Sequence, residues 1–171
     1  MTQQLSEHRH ISFTAHYTGY IWYSMGISHP VFATSKGKML AKLVHPLESW
    51  AEKFVGGSMR TTLKQRHSMI DQHLIQLIEQ HPDLQVLEIA SGLSPRGWNF
   101  RQKFPNIDYR ELDLPDMARV KTQALQKIDC NSPEVLSVDL FTADFEQAFQ
   151  VFDPKRPLVV ISEGLINYFN K

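Results

Sequence analysis

Residues 85–97, QVLEIASGLSPRG, constrain the fold more than any other part of the chain. Residues 86–90 form a short apolar run with the β-branching of a buried strand. It breaks at once into small residues, Ser91 and Gly92, followed by Ser94, Pro95 and Gly97. A strand that ends in a small-residue turn and feeds a helix is how open α/β sheets make room for a nucleotide-like ligand.

The same alternation recurs downstream. Residues 96–104 read as a short helix carrying Trp98, Phe100 and Phe104, and residues 107–112, IDYREL, as a second strand running into Asp113. Residues 115–128 are helical, with Met117, Val120, Ala124, Leu125 and Ile128 facing inward. Residues 135–138 make a third strand, with Asp139 and Leu140 at its exit. After a short helix at 143–152 comes a fourth, fully apolar strand from Leu158 to Ile161, with Glu163, Gly164 and Leu165 beyond it. Four strands alternating with helices predict an α/β fold with a parallel sheet and crossover helices.

Upstream the pattern is helical. Residues 1–10 read as a loose start, and Phe13, Tyr17 and Tyr20 fall at helical spacing on one aromatic face. Residues 26–30 read as a turn, and Lys36, Lys38 and Lys42 as a solvated helix face around Met39 and Leu40. His45-Pro46 opens a short helix that Gly56 and Gly57 end. Ser58 is a good N-cap for the longest helix, 59–79. In that helix Met59, Leu63, Ile70, Leu74 and Leu77 gather on one stripe, with Arg66 at its edge. A guanidinium so close to a buried face needs an anionic or carbonyl partner. The chain thus divides into an N-terminal helical segment, 1–80, and an α/β core, 81–171.

Composition narrows the function classes. At 171 residues and 42% apolar content the chain can bury a core. A formal net charge of zero gives no steering toward nucleic acid or an anionic membrane. The single cysteine, Cys130, excludes an internal disulfide framework and a thiolate metal cluster. No apolar run approaches the roughly 20 residues of a membrane span, and the first ten residues lack a signal-peptide core. The expected compartment is the cytoplasm. His8, His10 and His16 fit no standard metal-site spacing, so no metal is expected.

The strand exits carry Ser91, Asp113, Asp139 and Glu163, where ligands of open sheets sit. Gly92 and Gly97 are five apart, so the G-x-G-x-x-G dinucleotide fingerprint is absent, and there is no Walker-type glycine–lysine turn. That disfavours a nicotinamide-dependent oxidoreductase. A looser turn preceded by an acid, Glu88-x-Ala90-x-Gly92, suits a ligand with no phosphates to cradle. S-adenosylmethionine is such a ligand: its ribose diol wants a carboxylate, its sulfonium tolerates acids, and its α-carboxylate wants an arginine. The chain offers Asp113 for the diol, Asp139 for the adenine region, Glu163 near the amino-acid end and Arg66 for the carboxylate.

An ordered set of motifs sharpens this reading. It comprises Ser12-Phe-Thr14-Ala15, then Leu63-Lys-Gln-Arg66-His-Ser-Met-Ile-Asp71, Leu87-Glu-Ile-Ala-Ser-Gly92-Leu-Ser-Pro-Arg96-Gly97, Glu111-Leu-Asp113-Leu-Pro115 and Val138-Asp139-Leu140. The most specific is the run from Phe152 through Glu163-Gly164-Leu165 to Phe169. In these motifs the sequence resembles the leucine carboxyl methyltransferase family and the related polyketide-type O-methyltransferases. The resemblance implies a Rossmann-like fold, S-adenosylmethionine as cofactor, and methyl transfer to a carboxylate or hydroxyl of an acceptor that the motifs do not name. It further implies that Arg66 holds the cofactor carboxylate and that Gly92 lets the methionine portion approach. Asp113 would bind the ribose, Asp139 and Leu140 the adenine, and Glu163 the amino-acid end. Ala90 stands where relatives often carry glycine, and Ser94 where they often carry aspartate. Members of the family continue beyond the Glu-Gly-Leu motif with further strands. The fourth strand is therefore expected to be covered by a second copy of the chain, by the N-terminal helices, or by sequence beyond Lys171. A cofactor-binding or interaction module without catalysis is the alternative function.

Overall fold

The computed structural model describes residues 2–55, 59–128 and 131–165, with side chains described for 13–45, 60–128 and 131–165. Three long helices come first: α1 (Thr2–Ser24), α2 (Ser35–Val55) and α3 (Met59–Gln80), with a single 3-10 turn at Pro30–Phe32 between the first two. Strands and helices then alternate as β1 (Gln85–Ile89), α4 (Arg96–Lys103), β2 (Asp108–Asp113), α5 (Pro115–Leu125), β3 (Glu134–Ser137), α6 (Asp144–Ala148) and β4 (Leu158–Ser162). The sheet is wholly parallel in the order β3-β2-β1-β4. The α/β class and the four parallel strands are those the sequence pattern predicts.

The order places a switch point at β1. The chain builds outward through β2 and β3, then returns to add β4 on the opposite side of β1. Register pairs Ile89 with both Leu112 and Ser162, so the exits of β1, β2 and β4 lie side by side. This is where open parallel sheets leave a crevice for a ligand.

Helices cover both faces. On one, Val86 and Tyr109 of the sheet pack with Leu74 of α3, Phe100 of α4 and Ile161 of β4. On the other, Leu87 and Leu112 pack with Ala148 of α6 and Phe152. α1 joins the core through two small residues. A Cβ on Gly19 would fall 2.7 Å from the Leu93 Cβ, and one on Gly37 of α2 would fall 2.1 Å from the His16 carbonyl oxygen. Both contacts need glycine, and together they lock α1 between α2 and the turn after β1.

Several expectations change in detail. Residues 2–10 are not a loose start: α1 is helical from Thr2. Phe13 is exposed, and the buried side of α1 is formed by Ala15, His16, Tyr17, Ile21 and Trp22. α2 runs unbroken through Pro46, where a new helix start is expected. Leu40, Ala41 and Val44 already pack against Tyr17, Ile21 and Leu63, and this tertiary packing in the preceding turn outweighs the roughly 3 kcal/mol bias of an interior proline. β1 and β2 are shifted by one residue, so Ala90 lies outside its strand and Asp113 inside. α5 ends at Leu125, three residues early. Gly56, Gly57, Ser58 and Cys130 lie outside the described residues. The side chains of His8 and His10 also lie outside, and His16 is buried with its Nδ1 2.9 Å from Thr34 Oγ1. Among the described residues no helix is long and apolar enough to cross a membrane, and no group of three or more His, Cys, Asp or Glu side chains could hold a metal.

Candidate cofactor site

A cleft of about 300 Å³ opens at the carboxyl ends of β1, β2 and β4. Its floor is Ala90, Ser91, Gly92, Ser94 and Asp113; Glu163, Gly164 and Leu165 form one side. α1 and α3 close the other with Tyr17, Trp22, Leu63 and Arg66. That volume is at the lower end of the range of about 300–1,000 Å³ usual for small-molecule sites.

The turn after β1 takes its shape from backbone geometry. Ala90 has φ +51° and Gly92 φ +53°, both in the left-handed region. For Gly92 this costs nothing, but the alanine methyl at position 90 carries about 1–2 kcal/mol of strain. A Cβ on Gly92 would also approach the Ala15 Cβ to 3.1 Å.

Asp113, the last residue of β2, anchors this turn. Its Oδ2 accepts from the Gly92 N–H at 2.6 Å and its Oδ1 from the Leu114 N–H at 2.8 Å. Burial raises its pKa, and the two backbone donors oppose the rise. Each oxygen keeps one acceptor position. A carboxylate with one open position on each oxygen, facing a cleft, matches a ligand diol. Ser91 Oγ and Trp22 Nε1 are buried without a hydrogen-bond partner in the protein, and both residues line the same cleft.

Behind the cleft lies a cluster that sequence reasoning missed. Arg96, the first residue of α4, is fully buried and divides its guanidinium among three acids from three elements. Nε reaches Asp71 Oδ1 of α3 at 2.6 Å, Nη1 reaches Glu88 Oε1 of β1 at 2.7 Å, and Nη2 reaches Glu163 Oε2 at 2.6 Å. These neighbouring charges raise its already high pKa, against the penalty of burial. His67 Nδ1 lies 2.7 Å from Arg96 Nη2 and 3.1 Å from Glu163 Oε2, so the imidazole accepts from the arginine or donates to the glutamate according to its tautomer. Glu88 takes a further hydrogen bond, donated by the Tyr109 hydroxyl at 2.8 Å.

Glu163 is bound twice over. Besides Arg96 and His67 on Oε2, its Oε1 accepts from Arg66 Nε at 2.9 Å. Burial works against ionisation, but the His67 hydrogen bond and the Arg96 charge outweigh it and bring the Glu163 pKa down to about 2. Arg66 therefore has an acid for a partner, 97 residues away in sequence. Its side chain is 40% exposed on the cleft wall.

A second buried pair supports the turn from the other side. Lys121 of α5 is fully buried, donates to the Ser94 carbonyl at 2.5 Å and lies 2.8 Å from Glu111 Oε2. Burial, with the nearby Glu88 and Asp113 charges, raises the Glu111 pKa to about 7 despite the lysine. Glu111 Oε1 presses against Gly97, where a Cβ would fall 2.3 Å away.

Of the residues expected to contact a cofactor, Arg66, Glu88, Gly92, Asp113 and Glu163 meet at the main cleft. Asp139 and Leu140 line a shallow apolar groove beside it, which shares Ala90, Asp113 and Leu165 with the cleft. Glu88 is committed to Arg96 and Tyr109, and Asp139 Oδ1 accepts from the Phe141 N–H at 3.0 Å. Both carboxylates therefore serve the scaffold as well as the cavity.

The family model for leucine carboxyl methyltransferase matches residues 29–171, from just before the 3-10 turn to the last residue. The α1 wall of the cleft precedes the match. Neither the curated proteins nor the solved structures give a match. With most of its length inside that match, an α/β fold and a cleft at the sheet's switch point, the chain belongs to the leucine carboxyl methyltransferase family.

Proposed function

We propose that the chain binds S-adenosylmethionine in the cleft and is a methyltransferase acting on an oxygen of its acceptor. The observation that carries the reading is Asp113, a buried carboxylate at the end of β2 with an open acceptor position on each oxygen. In the bound state Asp113 would take the ribose hydroxyls, and Arg66 and Glu163 the charged ends of the amino-acid portion. Gly92 would leave room for it, and the groove at Asp139 and Leu140 would take the base. The cofactor supplies an activated methyl group on a positively charged sulfur. Carboxylates around the cleft favour such a cation, and Glu163, with its low pKa, stays ionised at neutral pH.

The protein's contribution is orientation and exclusion of water, which can supply most of a transfer rate. Tyr17 and Trp22 give the α1 wall an apolar surface against which an acceptor would be held. A carboxylate acceptor needs no general base, whereas a hydroxyl acceptor needs one. A cofactor-binding module without turnover is the alternative, separated from the first reading by turnover alone.

Calorimetric titration with S-adenosylhomocysteine tests the binding claim. The wild type should release heat with a 1:1 isotherm, and D113A should lose about 1–3 kcal/mol of binding free energy through unmatched hydrogen bonds. Equal affinities in a folded D113A protein would remove Asp113 from the site. Transfer of labelled methyl groups to carboxylate and hydroxyl acceptors then separates an enzyme from a binding module.

A further inference from the structure

Phe141 is the most exposed large hydrophobic side chain among the described residues, 71% accessible, and it lies at the rim of the apolar groove. Its position is built. Asp139 Oδ1 accepts from the Phe141 N–H at 3.0 Å, and the Asp139 carbonyl accepts from the Thr142 N–H at 3.1 Å and from the Thr142 hydroxyl at 2.9 Å. The Thr142 carbonyl in turn accepts from the Phe145 N–H. Asp139 thus spends an oxygen and its carbonyl on holding this turn, which presents the Phe141 ring at the mouth of the groove. The floor beneath is aliphatic: Leu112, Leu114, Val138 and Leu140. Asp113 lines both cavities, so a nucleoside whose ribose met Asp113 would put its base over this floor.

We propose that Phe141 is a specificity-determining residue whose ring stacks on the planar base of the bound nucleoside, and that Asp139 acts by positioning Phe141 rather than by binding the base itself. The inference rests on the cofactor reading above. It accounts for an exposed large aromatic at the rim of the groove, on a turn that Asp139 closes with three hydrogen bonds. Stacking tolerates any flat heteroaromatic, so the ring would select for a base without reading its edge.

The test is titration of S-adenosylhomocysteine into the wild type and into F141A, F141L and F141W, with the unfolding midpoint of each. Loss of one stacked base should weaken F141A about tenfold or more, with an unchanged midpoint because the ring is exposed. F141L should be weakened nearly as much, and F141W should bind like the wild type. Wild-type affinity in F141A overturns the inference and leaves the cofactor reading standing. Wild-type affinity in F141L overturns stacking by the ring, and serves in its place should F141A fail to fold. A folded wild type that does not bind S-adenosylhomocysteine defeats the cofactor reading and this inference with it.

Discussion

Arg96 is the residue on which the site most depends. A fully buried guanidinium is tolerated because three carboxylates and an imidazole surround it, and its charge in turn helps lower the pKa of Glu163. Removing one side of such a cluster leaves uncompensated charge in the interior, at about 3–5 kcal/mol. R96M should lose that much in urea unfolding. R96K, which keeps the charge but not the planar fork, should fall between it and the wild type. Little in the sequence announces this role, since Asp71, Glu88 and Glu163 come from three distant elements. One local signal exists: a cation at the first position of a helix opposes the helix dipole, so it must be held by something else. Lys121 carries a comparable signal, because it falls on the inward stripe of α5 with Met117 and Ala124. Arg66 and Asp113, by contrast, were legible from a stripe edge and a strand end. Ala90 is a residue-scale liability. Replacing it with glycine relieves the left-handed strain but adds freedom to the unfolded chain, so A90G should gain up to about 1 kcal/mol in the same measurement.

Among the elements, the turn from β1 into α4 is clamped on both sides, by the Arg96 cluster toward α3 and β4 and by the Lys121–Glu111 pair toward α5. The close packing at Gly97 leaves no room for a methyl group, so G97A should displace Glu111 and lower the thermal midpoint by several degrees. The two clamps respond oppositely to pH. Glu163 has a lowered folded-state pKa, so its contribution is full above about 4.5 and is lost as pH falls toward 2. Glu111 has a raised one, so its contribution is full below about 4.5 and is lost as pH rises through 7. Denaturation curves across pH should therefore show the acid-side loss shrinking in E163Q and the loss between 4.5 and 7 shrinking in E111Q. An unchanged slope in E163Q would mean that Glu163 is not paired as described, and one in E111Q that Glu111 is not buried as described. Element existence was legible from period and turn residues, while the ends were not. The one-residue shifts of β1 and β2 follow from Asp113 and Ala90 answering to the turn rather than to strand propensity, and α2 ignores its proline because packing precedes it.

For the whole molecule, the parallel sheet was readable because strand and helix patterns alternate four times and each strand exit is polar, whereas the order β3-β2-β1-β4 depends on contacts that no local pattern encodes. β4 is the outer strand at the switch-point side, and Val160 on it is 46% exposed. An apolar outer strand is a pairing template. Of the three covers expected for it (a second copy of the chain, the N-terminal helices, or sequence beyond Lys171), the first predicts a dimer in sedimentation that V160K shifts to monomer, and a wild-type monomer would count against that cover. The crevice at the carboxyl ends of β1, β2 and β4 is the proposed seat of the cofactor. A crystal structure with S-adenosylhomocysteine tests it most directly. The ribose hydroxyls should lie on Asp113, the amino-acid end at Arg66 and Glu163, and the base over the groove beside Asp139 and Leu140. Density for the ligand elsewhere, with Asp113 untouched, would contradict this placement.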